Sequence, residues 1–168
     1  VSISNHRRLA LAAVVSVGGA AAISSDINAN VGNFDWSNSD ALYSGNYSNA
    51  AGFWQAIICG NSPDIYLDGI FGNQSRAATL KFKKEVLGWT TATNPNVPQT
   101  TWDGARYSDF LGFPHLQPSG GGYYSYYGGS AVATDLYWNG NDWKFLQTPS
   151  STWYVATTAR TMGSTLCF

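Results

Sequence analysis

Charged side chains are scarce in this chain. Lys, Arg, Asp and Glu make up 11% of the residues, 9 basic against 10 acidic. They form no basic stripe and no polybasic tail, so a nucleic-acid partner is not expected. Glutamate occurs once, as Glu85, and histidine twice. A glycosidase needs two opposed carboxylates. A zinc peptidase needs two or three clustered ligands, and a nucleophilic triad needs a base beside its Ser or Cys. His115, between Pro114 and Leu116, reads as an ordinary loop residue. Glu85 sits among lysines and reads as a solvated partner for Lys81 or Lys84. The expectation is a protein without catalysis, resident metal or cofactor. What is plentiful is Asn, Ser, Thr, Gly and aromatics, including Trp 7 and Tyr 10. Such polar, uncharged, aromatic surfaces are common in secreted proteins that touch carbohydrate.

Residues 1–29 have the order of a secretory signal. Arg7 and Arg8 are adjacent in a polar start, Leu9 to Ile23 is apolar apart from Ser16 and two glycines, and Ile27-Asn28-Ala29 offers a cleavage site. The apolar run is shorter than the roughly 20 residues of a bilayer span; an uncleaved anchor is the competing reading. Removal of the leader takes Arg7, Arg8 and Asp26 and leaves an acidic chain, expected to be extracellular with no membrane contact. Cys59 and Cys167 then read as a disulfide, the usual meaning of an even count in an exported chain. Two buried free thiols are the alternative.

The chain is organised around Asp68-Gly69-Ile70-Phe71-Gly72, a tight turn that opens a helix. Gly69 and Gly72 can take positive φ at no steric cost. Asp68 is the residue type whose carboxylate bonds backbone N–H groups two or three residues on. Ile70 and Phe71 are too apolar for a solvated loop and are expected to plug into a core. Beyond them Ala78, Phe82 and Val86 form a helical stripe that stops at Gly88. Lys81, Lys83, Lys84 and Glu85 fall mostly off it.

With Ser75, Ala78 and Phe82 following at their spacing, this turn resembles the second half of the small helical peptidoglycan-binding domain of bacterial cell-wall hydrolases. That pattern is Asp-Gly-x-Phe/Tyr-Gly-x-x-Thr, then Ala three residues on and Phe four after that. Trp54-Gln55-x-x-Ile58 is similar to the family's first-helix Gln-x-x-Leu. Ser75 replaces the family's Thr and Lys83 its usual Gln. The likeness spans roughly Asn46 to Leu111. It implies a secreted, non-catalytic bacterial protein that binds peptidoglycan glycan and stem peptide. The groove it implies lies beside the turn, at Asp68, Gly69, Phe71, Gly72, Asn73, Gln74 and Arg76, with Tyr66 and Trp54 as rings for sugar faces. Phe71 and Trp54 read better as core, and Tyr66 and Gln74 as exposed contacts. A fold does not fix a function. The alternative is an adaptor of a secreted assembly, a second protein being its partner.

The rest of the chain is read around that unit. Residues 30–46 form an extended arm. Ser48 or Asn49 caps a helix over Ala50 to Cys59, and a third helix runs from Thr100 to Leu111, with Trp102, Ala105 and Arg106 recurring at helical spacing and Phe110 further on. Phe113 to Gly122, rich in Pro and Gly, marks a boundary. Beyond it, aromatic runs around Tyr123–Tyr127, Ala131–Trp138, Trp143–Gln147 and Thr152–Thr158 read as three or four antiparallel strands, with Asn139-Gly140-Asn141-Asp142 as a hairpin turn. The expected class is α+β. Residues 47–112 form a three-helix, peptidoglycan-binding-domain-like core, and 113–168 add a small β tail pinned by Cys167.

Overall fold

Helix α1 (Asn49–Cys59) carries no charged residue, and all 11 of its positions are buried. A helix without a polar face has to be covered on every side, and the rest of the chain is arranged to do this. The computed structural model describes residues 41–107, 116–128, 134–140, 142–147, 151–156 and 159–167. The leader, most of the arm and the His115 turn lie outside the described residues. After α1 come β1 (Tyr66–Leu67), α2 (Asn73–Glu85) and α3 (Gln99–Tyr107), then β2 (Leu116–Gly120), β3 (Tyr123–Tyr126), β4 (Thr134–Trp138), β5 (Trp143–Gln147), β6 (Thr152–Val155) and β7 (Thr165–Leu166).

Strands β2 to β6 form one antiparallel sheet in sequence order, and β1 pairs with β7 in a second, two-stranded sheet. The expected three-helix core with a small β tail is therefore incorrect. The helices exist, but the sheet is five-stranded and supplies part of the same core. Tyr126, Leu136 and Phe145 are fully buried in one cluster with Phe53, Trp54, Phe82 and Trp102. Phe53 of α1 joins the layers: its ring lies 6.2 Å from Trp102 on α3 and 6.0 Å from Phe145 on β5. Thr134 Oγ1 also donates to the carbonyl of Ala56 at 2.9 Å. The physical reason is α1 itself. Helices α2 and α3 cover only part of it, and the inward rows of β3, β4 and β5 cover the rest.

Local signals hold at several ends. Ser48 caps α1, its Oγ accepting from Ala51 N at 3.1 Å. Asp142 N donates to Asn139 Oδ1 at 2.6 Å in the β4–β5 turn. Ala78, Phe82 and Val86 are buried along α2, and Gly88 takes φ +70 just past it. One expectation fails here. Lys83 is only 3% exposed, and its Nζ donates to the carbonyls of Asn94 and Asn96 at 2.8 and 2.5 Å. Burial holds its ammonium below the ordinary lysine range. Strand β2 lies within the stretch Phe113 to Gly122 that reads as a boundary. Pro118 is tolerated there because β2 is the sheet's edge, with a register shift between Pro118 and Gly120.

Cys59 and Cys167 are disulfide-bonded, with their Cα atoms 5.7 Å apart. The bridge joins the end of α1 to the residue after β7, and Cys167 N also donates to Ile65 O at 3.1 Å.

Candidate binding site

The Asp-Gly turn is held from beneath by Gln55 of α1, which is 1% exposed. Gln55 Oε1 accepts from Asp68 N at 3.0 Å and Gly69 N at 2.8 Å. Its Nε2 faces Asp68 Oδ1 at 2.7 Å, Ser75 Oγ at 2.9 Å and the carbonyl of Ile70 at 3.0 Å. Two N–H protons face three acceptors, so one bond is shared. Asp68 Oδ1 also accepts from Ile70 N at 2.9 Å, the bond expected of that residue type. Gly69 has φ +70, but Gly72, expected to share that role, sits at φ −92 in extended backbone. Phe71 is fully buried, as expected, while Ile70 is 39% exposed and bridges to Tyr47 instead of entering the core.

The C-terminal segment roofs this turn. Arg160 Nε donates to the carbonyl of Asp68, and one of its terminal nitrogens donates to Tyr47 Oη at 2.7 Å. A Cβ on Gly69 would lie 3.1 Å from Met162 Sδ and 2.8 Å from the carbonyl oxygen of Ser48. Asn49 fixes the same segment, its Oδ1 accepting from Thr161 N at 3.0 Å and its Nδ2 donating to Val155 O at 3.0 Å.

The residues assigned to the groove therefore separate. Gly69 and Phe71 are enclosed, and Trp54 is fully buried with its indole N–H on Thr79 Oγ1 at 2.9 Å. Asp68 is engaged by Gln55 and Ile70 N. Gly72, Asn73 and Gln74 sit at the start of α2, with Asn73 and Gln74 exposed. Arg76 is partly buried, with its Nε unpartnered. Tyr66 is 43% exposed on β1, opposite Leu166 of β7.

An open cleft of about 380 Å³ runs between α2 and the segment after α1. Ser62, Asp64, Gln74 and Lys81 provide polar groups over Pro63, Ile65, Ala77 and Ala78. Of the predicted positions only Gln74 lines it. Lys81 closes one end, its Nζ donating to Asn61 O at 2.6 Å and lying 3.8 Å from Glu85. Gln55, Arg160 and Met162, which shape the turn, were missed as site determinants. Gln55 carried a local signal, a polar residue inside an otherwise uncharged apolar helix, whereas Arg160 and Met162 carried none. Among the described residues no group of three or more His, Cys, Asp or Glu is placed to hold a metal ion. Comparison with family models, with curated proteins and with solved structures finds no match.

Proposed function

We propose that this chain is a secreted, non-catalytic bacterial wall-binding protein that takes peptidoglycan glycan and stem peptide in the cleft beside α2. The observation that carries the reading is the cleft: an apolar floor with an amide, a carboxylate, a hydroxyl and an ammonium at its rim. Sites for polar ligands combine an apolar surface with a few placed polar groups in this way. The cleft lies along α2, the helix that follows the Asp-Gly turn, and shares Gln74 with the groove positions implied by the resemblance. The disulfide fits an oxidising compartment.

Retention of the mature chain on purified sacculi tests this. Wild type is retained above an unrelated protein of similar charge, and Gln74→Ala, at an exposed position, reduces retention severalfold. Absence of retention by wild type overturns the reading.

A second reading, a secreted adaptor, is favoured by two exposed cross-strand pairs. Tyr66 pairs with Leu166 and Tyr47 with Ile70, and all four side chains are at least 39% exposed. Interfaces favour such aromatic and apolar residues. Size-exclusion profiling of the native culture supernatant separates the two: elution at the mass of one free chain excludes a stable assembly.

A further inference from the structure

The five-stranded sheet has a second face that the core does not use. Tyr126, Leu136 and Phe145 point inward, so by strand alternation Tyr123, Tyr137 and Lys144 point outward. These three lie in one cross-strand row on β3, β4 and β5. Trp153 of β6, paired with outward Leu146, stands on the same face. The Tyr123 and Tyr137 rings are 4.7 Å apart and tilted by 45°. Trp153 lies 6.0 Å from Tyr123 and 6.2 Å from Tyr137, at 67° and 68°. Lys144 Nζ rests 5.7 Å from the centre of the Tyr137 ring. The rings come from three strands of one hydrogen-bonded sheet, so their spacing is set before any ligand arrives.

Burial accounts for this cluster only in part: Tyr123 is 49% exposed, while Tyr137 and Trp153 are half-buried. We propose that it is a glycan-binding site for a neutral hexopyranose chain. The negative faces of aromatic rings attract polarised C–H groups, which line the faces of a pyranose, and rings tilted against one another cup a sugar edge as well as its face. Lys144, held over Tyr137 by a cation–π contact, adds an ammonium donor beside the rings for sugar hydroxyls. The charge on this face selects the ligand class. The outward rows carry one cation, Lys144, and one anion, Asp135, among Ser125, Leu146 and Val155. Single-stranded nucleic acid also stacks on aromatics, but it needs a positively charged groove along its backbone. A balanced, hydroxyl-bearing face fits an uncharged polymer. This site lies on the sheet, apart from the α2 cleft, and does not depend on the reading of that cleft.

Titration calorimetry of the disulfide-intact chain with chitohexaose and cellohexaose tests the proposal. At least one of them binds wild type, Trp153→Ala and Tyr123→Ala each weaken it about tenfold or more, and Lys84→Ala, at an exposed position of α2 outside both sites, leaves it within about twofold. Tyr123, half exposed, can be truncated without opening the core, so a folding failure of Trp153→Ala leaves the test intact. The proposal is overturned if neither oligosaccharide binds at millimolar concentration, or if binding survives Tyr123→Ala. It is equally overturned if Gln74→Ala abolishes binding, which would place the sugar in the cleft. A dimer in sedimentation that Tyr123→Ala dissociates would also overturn it, by making this face a protein interface.

Discussion

Arg160 donates to the backbone carbonyl of Asp68, 92 residues earlier in the chain, while its guanidinium lies 4.6 Å from the centre of the Tyr47 ring. The C-terminal segment is thereby latched over the Asp-Gly turn. Arg160→Ala removes a charge-assisted bond worth about 2 kcal/mol and a cation–π contact. The melting temperature is expected to fall by several degrees, with faster amide exchange at Gly69 and Ile70 than at α2. Unchanged exchange at those two amides would show that the latch does not support the turn.

Gln55 supports the same turn from inside. Gln55→Leu keeps the side chain's size but leaves the N–H groups of Asp68 and Gly69 without their acceptor. Each buried unsatisfied group costs about 1–3 kcal/mol. A urea midpoint within experimental error of wild type would mean that water reaches the turn.

Gly69 and Gly72 separate two reasons for a glycine. Gly69 sits at φ +70, and a Cβ there meets the Ser48 carbonyl at 2.8 Å. Left-handed backbone alone costs a non-glycine residue about 1–2 kcal/mol, so Gly69→Ala should destabilise by more than that. Gly72 is extended, and a Cβ there meets nothing within 4 Å. Gly72→Ala should be neutral or stabilise by up to about 1 kcal/mol through the unfolded state. Equal losses in urea denaturation would refute this distinction.

These positions show what could be read from the chain and what could not. The Asp68 turn, the Ser48 cap, the Ala78–Phe82–Val86 stripe and the Asn139–Asp142 hairpin are local, and each depends on residues within a turn or two. The roles of Gln74 and Tyr66 as exposed and of Phe71 and Trp54 as core were also legible from polarity. The five-stranded sheet was underestimated because β2 contains Pro118 beside glycines and reads as a boundary. The burial of α1 on every side was visible in its lack of charge. Lys83 was misread because a long stem lets an ammonium on a buried face reach carbonyls on a neighbouring loop. The pairings of Arg160 with Asp68 and of Met162 with Gly69 are set by the fold's closure and leave no short-range pattern.

Tyr126 gives a pH prediction. Its hydroxyl donates to Ala105 O at 3.0 Å inside the core, and burial raises its pKa well above the ordinary 10.0. In the unfolded chain the phenol ionises near that ordinary value, so above it the folded state holds the proton longer. Stability from this group is complete below pH 10 and is lost as pH rises beyond it. Lys83 acts in the opposite sense, because its lowered pKa makes the unfolded state the better proton binder just below the ordinary value of 10.5. That contribution is common to wild type and Tyr126→Phe. The stability advantage of wild type over Tyr126→Phe should therefore shrink above pH 10. A constant difference from pH 8 to 11 in denaturant titrations would contradict it.

The disulfide decides whether helices and sheet behave as one unit. Cys59 and Cys167 are 108 residues apart in sequence, and closing a loop of that length stabilises by about 4–5 kcal/mol in the chain-entropy model. Cys167→Ser should lower the melting temperature substantially. Because α1 is covered by the sheet as well as by α2 and α3, the helices should not outlast the strands. The variant is expected to unfold in one cooperative transition, with far-ultraviolet circular dichroism and tryptophan fluorescence coincident. Trp102 on α3 and Trp143 on β5 report the two layers, and both pack on Phe53. Helical signal persisting after fluorescence has reached its unfolded value would show that residues 47–112 hold together without the sheet. An intact mass with both thiols free, from protein exported by its native host, would remove the bridge from the account altogether.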